Sequence, residues 1–197
     1  MTVNGGIRMC GKVGQEYFNM SIINFAKNVY SQNGEDGIIT EVLKRLKLKG
    51  GEAVEFGAPT QQYCSNTYNL PKGWNKYYYD IDPQEPGVIK AAITPENVNE
   101  VIGACDVLSV DIDGNDYAVW KAYNYQPALV IIEINSSISP NVDHFSVKNG
   151  CGFKTMNSLA AEKGYFLLCH TGNCLYVLNK YKKLFDDRDE TFNPGWL

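Results

Sequence analysis

From residue 53 to residue 134 the chain repeats one pattern: a short apolar run closed by an acid or a glycine, then a stretch with helical spacing. The runs are AVEF at 53–56, YYYDI at 77–81, 88–93, VLSVDI at 107–112 and LVIIEI at 129–134. Continuous apolar runs of this length suit strands buried on both faces, and such strands belong to a parallel sheet covered by helices. The intervening segments agree. Ile38, Ile39, Val42, Leu43 and Leu46 recur at helical spacing, with Asn33 as a capping residue and Asp36 in the first turn, where a negative charge suits the helix dipole. Gly50-Gly51 stops that run. Thr94-Pro95 opens a further helix, Tyr117, Val119, Trp120 and Tyr123 mark the next, and 153–163 the last, ended by Gly164. YFLLCH and CLYVLN then flank Thr171-Gly172-Asn173, a hairpin signal. Five parallel strands followed by an antiparallel hairpin at or near one edge define an α/β, Rossmann-like sheet, mostly parallel, with helices on both faces. Periodicity alone does not single out one such fold, because flavodoxin-like folds share much of that order.

With 197 residues against a soft prior of ~150 per domain, a single domain over 1–197 is expected. Residues 1–30 form an N-terminal segment, with a short helix or an irregular lid at 17–26. Eighteen basic residues against 22 acidic ones give a net charge of −4, which argues against a protein that coats nucleic acid. No apolar run is long enough to span a membrane, and MTVNGGIRMC does not resemble a signal peptide. A cytoplasmic protein is the expectation. The six cysteines, at 10, 64, 105, 151, 169 and 174, form no C-x-x-C pair, and the two histidines, His144 and His170, are too scattered to complete a zinc site with them. Reduced, structural thiols follow from that compartment.

In an open parallel sheet, ligands bind beyond the carboxyl ends of the strands. Gly57 follows the first strand, and a helix opening after it would offer free N–H groups to a carboxylate or phosphate. Neither G-x-G-x-x-G nor a P-loop is present. Asp80 ends the second strand about 20 residues on, where an acid can accept both hydroxyls of a ribose. DIDGND, Asp111 to Asp116, crowds three carboxylates at the end of the fourth strand. Its glycine stands too early for an EF-hand, and like charges this close raise one another's pKa unless a cation or donor intervenes. Glu133 and Glu55 are carboxylates inside apolar runs, so each must face a cleft or a donor. The Asp-Pro-Pro-Tyr and Asn-Pro-Pro-Tyr motifs of base-modifying methyltransferases are absent, as is the G-x-S-x-G elbow of α/β-hydrolases.

At these residues the chain resembles the FkbM-type branch of S-adenosylmethionine-dependent methyltransferases. The resemblance spans residues 30–179 and runs through YSQNGEDGII, VEFGAPTQQYCSNTYNL, GWNKYYYDIDP, ITPENVNEV, LSVDIDGNDYAVWKAY and LVIIEINSS. It implies that Glu55, Gly57 and Ala58 wrap the methionine part of the cofactor and that Ser65 and Asn66 open the following helix. Asp80 would hold the ribose, with Ile81 against the adenine, and Asp111 and Asp113 would lie close to the transferred methyl. Gln32, Glu35 and Asp36 would stand near the cofactor cleft. One departure is visible: where similar proteins carry another glycine, this chain reads Gly57-Ala58-Pro59-Thr60-Gln61-Gln62, and proline removes an N–H and fixes its own φ.

The function expected is methyl transfer from S-adenosylmethionine to a hydroxyl of a small acceptor, such as a sugar. Asp111, Asp113 and Asp116 are the candidate bases or ligands of a divalent cation, and His144 is a second candidate base. Two alternatives stand beside it. One is a binding or scaffold domain that keeps the fold without turnover. The other is an RNA or protein methyltransferase, for which Lys44, Arg45, Lys47 and Lys49 would meet phosphate.

Overall fold

The computed structural model describes residues 21–194. Nine strands are present among them: β1 (Gly51–Phe56), β2 (Trp74–Asp80), β3 (Val88–Lys90), β4 (Val107–Val110), β5 (Leu129–Glu133), β6 (Phe145–Ser146), β7 (Gly150–Cys151), β8 (Tyr165–His170) and β9 (Asn173–Leu178). The α-helices are α1 (Glu35–Leu46), α2 (Val98–Val101), α3 (Asp116–Ala122) and α4 (Phe153–Glu162). Seven strands form one sheet in the order β3-β2-β1-β4-β5-β9-β8, and β6 and β7 form a separate hairpin. The first five are parallel, β9 runs antiparallel to β5, and β8 antiparallel to β9. This is the expected Rossmann-like α/β arrangement, with the antiparallel pair at one edge.

Alternation along the strands divides the core in two. Ala53, Val107, Leu129 and Ile131 face Ile38, Ile39, Val42 and Leu43 of α1, together with Ile22 and Phe185. Their neighbours Val54, Leu108, Val130 and Ile132 face the other way, against Val98 of α2, Val119 and Trp120 of α3, and Met156 and Leu159 of α4. Full burial of each such side chain is worth ~1.5–3 kcal/mol. Both faces are therefore covered, as continuous apolar strands require. Trp120 lies at the centre of the second layer, stacked on Tyr176 and edge-on to Tyr165.

Three local expectations differ from what forms. The helix expected after Thr94-Pro95 is only Val98–Val101, because the Asn97 side chain accepts the Thr94 N–H and donates to Ala92 O, closing a turn first. Asn33 does not cap α1; Gly34 does, at φ +91°, while the Asn33 N–H donates to Glu35. No helix follows β1, and residues 57–73 are irregular. At the N-terminus, Ile22–Phe25 form a 3-10 turn. The rest of the expected helix or lid, like Cys10, lies outside the described residues. The other five cysteines are free thiols. Among the described residues no helix is long and apolar enough to cross a membrane.

Candidate functional site

The chain leaves β1 toward β2 and β3 in one direction and returns to β4 and β5 in the other, so the order reverses between β1 and β4. Beyond the carboxyl ends of β4 and β5 lies a cleft of about 570 Å³. Asp111 directly follows β4, β5 supplies Glu133, the turn into α3 supplies Asp113 and Gly114, and α3 opens with Asp116. Gln32 and Asn33 enter from the segment before α1, and Gly172 and Asn173 from the β8–β9 turn. Lys148 and Asn149 come from the β6–β7 hairpin. The β8–β9 turn reaches this end because β9 is antiparallel to β5, which sets Asn173 opposite Glu133. Glu35 fixes that corner: its Oε1 accepts from Thr171 Oγ1 at 3.2 Å and from Asn173 Nδ2 at 3.1 Å.

Within the cleft the carboxyls divide into two kinds. Asp116 is buried and engaged, its oxygens accepting the N–H groups of Ile112 (2.8 Å) and Gly114 (3.0 Å). It thereby shapes the turn in which Asp113 adopts φ +55° and Gly114 φ +114°. A side chain at Gly114 would collide with the Val147 carbonyl, so glycine is required where the hairpin crosses the turn. Asp111 and Glu133 instead face each other. Burial pushes both up, Asp111 to about 6 and Glu133 to about 8, reinforced by the neighbouring charges of Asp116 and Asp113. Although Asp111 is open along the cleft, the walls keep bulk water from surrounding its carboxyl. The two carboxyls therefore titrate as a pair, each disfavouring the ionised form of the other. Asp111, Asp113 and Glu133 can each bring one oxygen within 4.8 Å of the others, a spacing a single cation can bridge.

Glu55 meets the other outcome foreseen for an in-strand acid. It is buried, and its carboxylate accepts from Ser65 Oγ (2.7 Å), Asn66 N–H (2.8 Å), Thr67 N–H (3.1 Å) and Thr67 Oγ1 (2.6 Å). Burial pushes its pKa up, and these bonds oppose the rise. The donors expected from a helix N-terminus at Ser65 and Asn66 are therefore taken by the preceding strand. That is the physical reason the helix is absent. No protein-family model matches the chain, and no curated protein matches it.

The residues assigned by resemblance, and the candidate bases Asp116 and His144, divide between the cleft and its surroundings. Gln32, Asn66, Asp111, Asp113 and Asp116 line the acidic cleft; Glu55, Gly57, Ala58, Ser65, Asp80, Ile81 and His144 are not part of its lining. Gly57, at φ +80°, lies so close to β4 that a Cβ would collide with the Asp111 carbonyl oxygen. The Gly57 and Ala58 N–H groups donate to Tyr79 O. Pro59 O accepts from Gln84 N–H at 2.8 Å, and Gln61 N–H donates to Glu85 at 2.5 Å, so the loop rests on the turn after β2. Asp80 is half-buried, with Oδ1 accepting from the Asp82 N–H, and Ile81 is 68% exposed beside it. His144 is half-buried, with Nε2 3.4 Å from Ser146 Oγ. Asp36 is buried beneath the 29–31 turn. Of the basic face, Arg45 pairs with Glu41 and Asp187, and Lys44 with Glu41.

Asn135, Lys148 and Asn149 are cleft residues that sequence reasoning did not single out. Asn135 directly follows the fifth apolar run, so the carboxyl-end rule was its available signal. Lys148 and Asn149 carry none, because they lie on a hairpin of two-residue strands.

Proposed function

We propose that this chain is an S-adenosylmethionine-dependent methyltransferase acting on a hydroxyl of a small polar acceptor, carbohydrate-like in its density of hydroxyl groups. The observation that carries the reading is the Asp111–Glu133 pair at the carboxyl ends of β4 and β5 in a Rossmann-like sheet. The cofactor is a sulfonium cation, and four acids line the cleft against one lysine, Lys148, so the donor set suits its charge. Asp80 would take the ribose hydroxyls, Ile81 the adenine face, and the acidic cleft the positively charged end. When bound, the cofactor supplies an electrophilic methyl group.

The chain's own contribution is a base and a polar cradle. Near neutral pH Asp111 is the ionised member of the pair and can accept the proton of an acceptor hydroxyl, while protonated Glu133 holds it in place by a hydrogen bond. The side-chain amides of Gln32, Asn33, Asn66 and Asn135 orient the acceptor, and Asp116 keeps the turn that carries Asp113. If a divalent cation bridges Asp111, Asp113 and Glu133, it would lower the hydroxyl pKa instead. Calorimetry with S-adenosylmethionine, followed by a cofactor-consumption screen across sugars and polyols, tests the proposal. A chain that binds neither cofactor nor product overturns it.

A second reading is favoured by the loop after β1. Its Gly57, Ala58 and Gln61 N–H groups are occupied by Tyr79 and Glu85, Pro59 has none, and Asn66 and Thr67 donate to Glu55. A domain that keeps the fold as a scaffold without turnover would tolerate this. Absence of cofactor binding together with an intact fold is its signature.

A further inference from the structure

α1 and β9 both run away from the acidic cleft. Glu35 opens α1 beside the β8–β9 turn at the cleft, so the last turn of α1 stands at the amino ends of the strands, where residues 47–50 lead into β1. β9 starts opposite Glu133 and ends with the Leu178 N–H donating to Ala128 O, just before β5. A 3-10 turn, Asn179–Leu184, follows at that same end. Arg45 ties it to α1, donating to the Leu184 carbonyl at 3.2 Å and to the two Asp187 oxygens at 2.6 and 2.8 Å. Gly50 packs so closely on Gly73 that a Cβ would collide with the Gly73 carbonyl, which brings Lys72 to this end as well.

These segments carry much of the chain's positive charge. Lys44, Lys47, Lys49 and Lys72 are exposed, as are Lys180, Lys182 and Lys183 on the 3-10 turn. With Arg45 they make eight basic side chains, against Asp186 and Asp187 in the same segments and Glu41 one turn earlier on α1. The whole chain carries −4, and the opposite end presents the acidic cleft, so charge is separated along the strand direction. The helix dipole accounts for Lys44 and Arg45 at the end of α1, but not for Lys72 or the three lysines of the turn. Leu184 stands among them, 46% exposed.

We propose that this end docks on an anionic lipid bilayer, with its lysines among the headgroups and Leu184 in the interface. Clusters of about four to eight basic side chains suit such a surface, each giving about a fivefold gain in binding. Lysine is a strongly hydrated point charge on a flexible stem, suited to a diffuse layer of anionic headgroups. A nucleic acid would instead call for arginine forks and open aromatic faces. Arg45 is occupied by Glu41 and Asp187, and Tyr181 is half-buried with Lys180 over its ring at 4.9 Å. Leu184 gains from a bilayer interface and gains nothing from a phosphate backbone. Docked this way, the chain holds its cleft away from the lipid, and the inference stands whether or not the cleft transfers methyl groups.

Co-sedimentation of the full chain with lipid vesicles tests the proposal. Vesicles with about one-third phosphatidylserine in phosphatidylcholine should retain the chain at low salt and release most of it at about 0.5 M. Vesicles of phosphatidylcholine alone should not retain it. Lys180→Gln, Lys182→Gln and Lys183→Gln combined should weaken retention about 100-fold; all three side chains are exposed, so the fold is kept. Leu184→Ser should weaken it severalfold with every charge in place, a loss that binding to a phosphate backbone would not show. No retention on phosphatidylserine, equal retention on both vesicles, or retention unaltered by either variant overturns the proposal. So does binding to polyuridylate by a chain that the vesicles do not retain.

Discussion

Replacing Glu133 with glutamine removes the proton that the cleft pair holds through neutrality. The amide keeps a hydrogen bond to Asp111. In an unfolded chain a glutamate releases its proton near pH 4, whereas in the fold burial and the charge of Asp111 raise Glu133 to about 8. The folded state therefore binds more protons than the unfolded state between those limits. Stability is highest below the unfolded value and falls as pH rises through the folded one. Across the two pH units from 6.5 to 8.5 a fully retained proton would be worth about 2.7 kcal/mol. Glu133 is only half-buried, so solvent screening cuts this to about 1–2 kcal/mol. In a domain of this size that is a fall in Tm of about 2–8 °C. The thiols of Cys105, Cys151, Cys169 and Cys174, raised by burial, lower stability above about pH 8 in either protein. Differential scanning calorimetry should therefore find the Glu133 fall as the extra slope of the unmodified chain over Glu133→Gln, with the variant the more stable at pH 8.5. The window excludes His170, whose burial lowers it to about 4. That residue makes stability rise with pH, but only up to about 6.5, the unfolded value. Parallel pH slopes in the two proteins would show that Glu133 is not a proton-holding partner, and the base assigned to Asp111 would lose its support.

Asp111→Asn should keep the fold and cofactor affinity while lowering turnover on the true acceptor by ~100-fold or more, measured by product formation at saturating cofactor. Asp80→Ala should weaken S-adenosylmethionine by about 2–4 kcal/mol through two lost charge-assisted bonds; unchanged affinity by calorimetry removes Asp80 from the site. Turnover that EDTA abolishes and magnesium or manganese restores assigns the proton step to a bridging cation, and indifference to EDTA assigns it to Asp111 directly. Glu55→Ala leaves two N–H groups and two hydroxyls without their acceptor, so urea unfolding should register a loss of about 3–5 kcal/mol.

The sheet was legible because its strands carry their own evidence. Val107, Leu129 and Ile131 pack on one layer and Leu108, Val130 and Ile132 on the other, so both faces must be apolar and the runs are continuous. Asp111, Asp113 and Asp116 were legible for a related reason, since charges clustered where an apolar run stops mark its carboxyl end. The β1–β2 connection was not. Ser65, Asn66 and Thr67 serve equally well as a helix opening and as a donor loop, and local pattern cannot choose between them. The choice was made by Glu55, ten residues away and beneath them, whose burial demanded donors. Glu133 stood out as a charge in an apolar run, but its partner did not. The parallel pairing of β4 and β5 brings Asp111 and Glu133 together across the sheet, and such contacts have no local signature.

Glu55 and Glu133 occupy comparable positions, each an acid late in an apolar strand, and their different treatment bears on turnover versus scaffold. Glu55 is surrounded by donors supplied by its own connection, which is how a fold accommodates a carboxylate it needs for structure. Glu133 faces a second carboxyl instead, with like charges from Asp113 and Asp116 nearby. That arrangement lowers stability above neutral pH, and the backbone of β5 pairs with β9 regardless of the side chain. A scaffold has no use for such a cost, because glutamine at 133 would preserve the hydrogen bond and relieve the repulsion. An enzyme does, because a proton shared near neutrality is what sets a carboxyl to work as a base at physiological pH. The loop after β1 argues for the scaffold and the cleft pair for the enzyme. They make different demands on Glu133→Gln: a scaffold gains stability and loses nothing, whereas an enzyme gains stability and loses the alkaline limb of its turnover profile, keeping the acid limb that belongs to Asp111.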